Sequence, residues 1–109
     1  MKIWVDDVRP APKGYFHVYS VEQAKTLIKL VETWNGEEPW HWSIIPIELI
    51  DLDYDSGDYE KDGGPYIKLM DWLVERGTLY PLAFHSQNCV GMEYMKRMYR
   101  RYWLGESLY

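Results

Sequence analysis

Three groups of residues in this chain carry side chains able to do chemistry, and each stands where an apolar run stops. Asp6 and Asp7 follow Lys2-Ile3-Trp4-Val5, and Asp51, Asp53 and Asp55 end or follow the run from Ile47 to Leu52. His85, Ser86 and Asn88 follow the run from Tyr80 to Phe84. Carboxylates that converge in a partly desolvated cleft raise one another's pKa or bind a cation. Hard oxygen donors select Mg²⁺, Mn²⁺ or Ca²⁺ over zinc. A histidine whose ordinary pKa lies near neutrality is a candidate general acid or base. Asn88 is placed to cap a helix, the free N–H groups of that helix's first turn make an anion site, and Gly91 would let a phosphate approach closely. Each feature also has a plainer reading: solvated strand ends, a solvated acidic loop, a half-buried histidine, a simple cap.

The elements that must position these groups can be read from periodicity. Residues 2–5 and 16–19 read as short strands, with a loop between them forced by Pro10, Pro12 and Gly14. Ser20 with Gln23 forms a capping box, and Val21, Ala24, Leu27, Ile28, Val31 and Trp34 repeat at helical spacing until Asn35-Gly36 closes the helix. Ile47 to Leu52 reads as a central strand with Pro46 before it. Residues 51–62 hold six acids and one lysine, a net of −5. A helix follows Pro65, buries Tyr66, Leu69, Met70 and Leu73, and ends at Gly77. Tyr80 to Phe84 is a strand, and a last helix spans about Val90 to Leu104, with Met92, Met95, Met98, Tyr99 and Tyr102 as its apolar stripe. Lys96, Arg97, Arg100 and Arg101 share the other face, as a solvated surface or as a means of steering an anionic substrate.

Strands alternating with helices predict a mostly parallel four-stranded sheet in a three-layer α/β sandwich. The first connection is too short for a full crossover, so either its helix is reduced to a loop or the first two strands are arranged otherwise. With strand order 2-1-3-4, the ends of the first and third strands are neighbours, and Asp6, Asp7 and Asp53 converge at the carboxyl rim where ligands bind.

Composition excludes several classes of function. The 109 residues suit one domain, 1–109, and 47% hydrophobic content supports a packed core. A net charge of −5 argues against broad non-specific nucleic-acid or DNA binding. One cysteine, Cys89, excludes a disulfide framework and reads as a small buried residue. No apolar run reaches membrane-spanning length, and Asp6-Asp7 come too early for a signal peptide, so a cytoplasmic location is expected. Asp51-x-Asp53-x-Asp55 fails as an EF-hand loop, since Ser56 holds the glycine position and Asp62 the final glutamate position.

Asp6-Asp7-Val8-Arg9-Pro10 with Pro12, Leu52-Asp53-Tyr54-Asp55, and His85-Ser86-x-Asn88-x-x-Gly91-x-x-x-Met95 together resemble the cyclic-phosphate-processing receiver-like domain family, over about residues 2–100. The resemblance implies a flavodoxin-like receiver fold and a metal-assisted role in processing cyclic phosphates, either cyclic nucleotides or cyclic phosphate RNA ends. By position it implies that Asp6, Asp7, Asp53 and Asp55 belong to a site for Mg²⁺ or Mn²⁺. Arg9, Asn88 and Gly91 then belong to the phosphate contacts, and His85 and Ser86 act with Asp53 in catalysis. Two departures stand out. The chain reads Asp51-Leu52-Asp53-Tyr54-Asp55-Ser56 where the family commonly has Ser-Leu-Asp-His-Asp-Leu, and Met92 replaces a frequent arginine. An ordinary phosphoacceptor receiver fits less well, because no fifth strand with its lysine follows Ser86.

Three functions remain open on the sequence. One is a metal-dependent phosphoesterase in which His85 protonates the leaving oxygen. The second is a module that binds a cyclic nucleotide or phosphate without turnover, with Trp40 or Trp42 stacking on a base. The third is an interaction protein, for which the aromatic-rich last helix is the candidate surface.

Overall fold

A computed structural model describes residues 1–37 and 44–106. The segment carrying Trp40 and Trp42 lies outside the described residues. Four strands, β1 (Lys2–Val5), β2 (Tyr15–Val18), β3 (Leu49–Leu52) and β4 (Leu82–Phe84), form one sheet in the order β2-β1-β3-β4. All three pairings are parallel. The helices are α1 (Val21–Glu37), α2 (Ile67–Arg76) and α3 (Cys89–Tyr102), and a short 3-10 helix spans Gly57–Lys61. The α/β receiver-like fold and the strand order are as expected. The connection between β1 and β2 runs through turn and bend, with no helix in it.

Local chemistry explains the helix ends. Ser20 Oγ accepts from Gln23 N at 3.1 Å and caps α1, while Gln23 Oε1 accepts from Tyr19 N at 2.8 Å. The same hydroxyl donates to Asp62 Oδ2 at 2.6 Å, tying the acidic loop to the start of α1. Asn35-Gly36 does not close α1, which continues to Glu37. Asn35 instead clasps the returning chain: its side chain donates to Ile45 O at 2.7 Å and accepts from Ile45 N at 2.8 Å. Gly77 does end α2, in the left-handed region at φ +69°.

Because successive strand residues face opposite sides, in-register parallel pairing sorts the sheet into two chemically different faces. Ile3, Val5, Ile50 and Leu52 lie on one face and are fully buried in a single cluster with Val21, Ala24 and Ile28 of α1, Leu69, Met70 and Leu73 of α2, and Met95 of α3. The other face carries Trp4, His17 and Asp51, none of which joins that cluster. Parallel sheets are ordinarily apolar on both faces because crossover helices cover both. Here the first crossover is a loop, and it passes over Trp4, whose Nε1 donates to Arg9 O at 3.1 Å. Polar side chains are therefore tolerated in the middle of that face.

The last helix departs from its expected stripe. Met95 is fully buried, but Met92 is only half-buried and Tyr102 is exposed. Cys89, expected to be buried, is exposed at the first position of α3.

Candidate functional site

The carboxyl ends of β1, β3 and β4 bring Asp6, Asp53 and His85 together. One ligating atom from each lies within 4.8 Å of the other two, and both aspartates are buried. Asp6 follows Val5, Asp53 follows Leu52 and His85 follows Phe84, so all three continue toward the face that bears Trp4 and Asp51.

Asp6 is fully buried and fully engaged. Its Oδ1 accepts from Val8 N at 2.8 Å and Arg9 N at 2.7 Å, and its Oδ2 lies 2.8 Å from His85 Nε2. The other ring nitrogen, Nδ1, lies 2.6 Å from Asp51 Oδ1. An imidazole flanked by carboxylates on both nitrogens donates from both, which is the protonated form. Burial works against that charge, but the hydrogen bonds and charges of Asp51 and Asp6 outweigh it, and the pKa of His85 is raised above 6.5. The Trp4 indole stacks flat on the imidazole, with centroids 3.6 Å apart and planes 6° apart.

Asp7 is half-buried and its carboxyl is raised above its ordinary value. Burial is the main cause, opposed by its own backbone N–H and reinforced by the charges of Asp6, Asp53 and Asp55. Gly57, at φ +53°, lies directly against the Asp7 carboxylate, where a Cβ would collide with it. Asp53 Oδ1 accepts from Tyr54 N at 2.7 Å. Asp55 is exposed at the mouth of the site. The donors that suit a hard cation are the carboxylate oxygens of Asp6, Asp7, Asp53 and Asp55. His85 could ligate only by losing a proton and its bond to Asp6.

The helix wall of the site is built differently. Ser86 Oγ accepts from Asn88 N at 3.1 Å, and Asn88 Oδ1 accepts from Gly91 N at 2.9 Å, capping α3. Gly91 is buried, and a Cβ there would fall inside the Tyr54 ring. The absent side chain thus makes room for Tyr54, not for a phosphate. Arg9 supplies its backbone N–H to Asp6 and its carbonyl to Trp4, and its guanidinium has no ion-pair partner among the described residues.

A model of the cyclic-phosphate processing receiver domain matches residues 1–101. The chain belongs to that family. No curated protein and no solved structure gives a significant match. Membership gives this receiver domain a cyclic-phosphate context, and among its described residues no helix is long and apolar enough to cross a membrane.

Sequence reasoning missed three contributors. Asp51 was legible only as a strand-end acid, yet the period of two puts it on the same face as Asp53 and His85, level with Ala83, from where its Oδ1 reaches His85 Nδ1. Trp4 carried no polar signal at all. His17 has its Nε2 2.8 Å from Asp6 O and stacks on Tyr19 with ring centroids 4.1 Å apart, so it braces the backbone of a site residue.

Proposed function

We propose that this receiver domain hydrolyses a cyclic phosphodiester with a divalent cation, Mg²⁺ or Mn²⁺, held by Asp6, Asp7 and Asp53, with Asp55 as a further ligand or orienting group. The observation that carries the reading is the convergence of Asp6, Asp53 and His85 at the strand ends of a domain from a cyclic-phosphate family. A cation there would polarise a phosphoryl oxygen or activate water. Water adds to phosphorus and gives up a proton to bulk solvent, one ring P–O bond opens, and the leaving oxygen takes a proton from His85 Nε2, which solvent then restores. For that transfer the Nε2–H must turn from Asp6 Oδ2 to the substrate, while Asp51 keeps the ring in place through Nδ1. Arg9 offers a guanidinium to the phosphoryl oxygens, and Ser86 and Asn88 border them.

The commitment of both His85 nitrogens to carboxylates favours a second reading, capture of a cyclic phosphate without turnover. Thermal unfolding of the wild type and Asp53→Asn, with and without millimolar Mg²⁺, Mn²⁺ or Ca²⁺, tests the metal. A cation at about 100 times its Kd stabilises by about 2.7 kcal/mol, a rise of about 10–20 °C for a domain of this size. The rise is expected in the wild type and lost in Asp53→Asn; no rise at saturating metal removes the cation from the mechanism. Incubation with a nucleoside 2′,3′-cyclic phosphate and the stabilising metal then separates turnover from binding.

A further inference from the structure

We propose that β2 is a pairing edge at which two copies of this chain join their sheets, antiparallel and about a two-fold axis through His17. β2 pairs with β1 alone and stands at one edge of the sheet. Asp6 N donates to Val18 O at 3.2 Å, so Val18 and Phe16 turn their backbone groups inward to β1. His17, between them, turns its N–H and C=O outward, and neither has a hydrogen-bond partner among the described residues. The groups beside it are mostly taken. Tyr15 N donates to Pro12 O at 3.2 Å, Tyr19 N donates to Gln23 Oε1 at 2.8 Å, and Tyr19 O accepts from Tyr66 Oη at 2.7 Å. Of the outward groups from Tyr15 to Tyr19, the His17 pair and Tyr15 O remain open. In an antiparallel hydrogen-bonded pair, two opposed residues exchange both bonds. A second copy of β2, open at the same residue, completes that exchange. A peptide strand continuing past His17 would meet N–H groups already bonded on both sides.

The surface around that edge is self-complementary. β2 reads Tyr-Phe-His-Val in continuous register with β1, with none of the charge, proline or bulge that blunts an exposed edge. Phe16 is 51% exposed, and with Leu27 and Leu30 of α1 it lines a groove along the edge; Leu30 is 65% exposed. A two-fold through His17 sets Phe16 opposite Val18 of the second copy and Tyr15 opposite Tyr19 of the second copy. It keeps both α1 helices on one face of the joined sheet, so each groove is closed by the other. Charge follows the same symmetry. Lys13 precedes β2, while Glu22 and Asp62 border the groove beyond the far end of the strand. Antiparallel pairing brings Lys13 toward Glu22 and Asp62 of the second copy, and the reverse. Glu22 keeps its ion pair to Lys25 at 3.5 Å and still faces solvent. At the other edge of the sheet α3 packs beside β4, with Tyr99 edge-on to Phe84 and Trp103 Nε1 donating to Tyr80 O at 2.7 Å. One exchanged pair of bonds and two short grooves make a small interface, hence a reversible dimer.

The test is sedimentation velocity in EDTA, from about 10 μM to about 1 mM protein, a range that spans weak association. The wild type is expected to pass reversibly from monomer to dimer, and amide exchange at His17 to slow as the dimer fills. Phe16→Lys and, separately, Leu30→Glu set like charges across the two-fold at exposed positions. Each is expected to weaken association about tenfold or more while thermal unfolding stays near that of the wild type. Two variants on different elements keep the result readable if one of them fails to fold. Tyr94→Lys, an exposed ring on α3, is expected to associate as the wild type does. Lys13→Glu and Glu22→Lys are each expected to weaken the dimer, and an equimolar mixture of the two to restore it. A wild type that stays monomeric at the highest concentration overturns the proposal. So does a dimer that neither groove variant weakens, one that leaves His17 exchange unchanged, or a mixture that stays monomeric. Neither metal nor phosphate is present, so these outcomes are independent of the phosphoester reading.

Discussion

The two walls of the candidate site use polar residues in opposite ways. On the strand wall, Asp6 and Asp51 each bond to His85 across three elements, and Asp6 also accepts from the backbone N–H groups two and three residues on. On the helix wall, Ser86 and Asn88 bond to backbone N–H groups two and three residues away and make their own turn and cap. Spacing in a motif therefore does not reveal role. The acids of the loop make a third case: Asp58 and Glu60 share the charge run of Asp53 but stand exposed on the 3-10 helix. Burial at a strand end, not local charge density, sets Asp53 apart from Asp58 and Glu60.

The largest effect expected from this contrast is at Asp6. Asp6→Ala leaves a buried imidazolium with one carboxylate and removes the acceptor of two N–H groups, at about 3–5 kcal/mol by urea unfolding. Asp58→Asn, on the exposed loop, is expected to stay within about 0.5 kcal/mol of the wild type. Equal effects at the two positions would erase the distinction between the walls and the loop.

Gly91 sharpens the comparison from the helix side. If its role is to make room for Tyr54, Gly91→Ala costs about 1–3 kcal/mol through overpacking, and Tyr54→Ala in the same chain restores part of the loss. A stable Gly91→Ala variant with impaired phosphate binding would instead assign the glycine to the ligand.

The smallest effect is the pH dependence carried by His85. Its folded pKa is raised above the unfolded value of 6.5, so the paired imidazolium contributes stability that is fully present below about pH 6.5. That contribution is lost as pH rises through the folded value. The unfolding free energy of the wild type relative to His85→Gln should therefore fall on going from pH 6 toward alkaline pH. A difference flat across that range would mean that the Asp51–His85–Asp6 bridge carries no charge.

Much of the fold was legible because short apolar runs ending in acids or turn residues admit few alternatives. β1 was bounded at Lys2 and Val5 by the charge of Asp6, and the buried stripe of α2 followed from 3.6-residue spacing. The end of α1 was misread because Asn35-Gly36 has the composition of a helix stop, yet Asn35 bonds to Ile45, ten residues away. Of the site, the convergence of Asp6 and Asp53 followed from strand order, since neighbouring parallel strands end side by side.

Residue types and their periods settled which elements form and where their polar ends lie, because hydrophobic spacing and turn chemistry act over a few positions. They could not settle which polar atoms meet. The Asp51–His85–Asp6 bridge joins residues 34 and 79 positions apart, the Trp4 stack rests on a face left open by a missing crossover helix, and Tyr54 lies over Gly91 across two elements. These contacts depend on strand register and on which face each side chain takes, and both are set only when the whole sheet assembles.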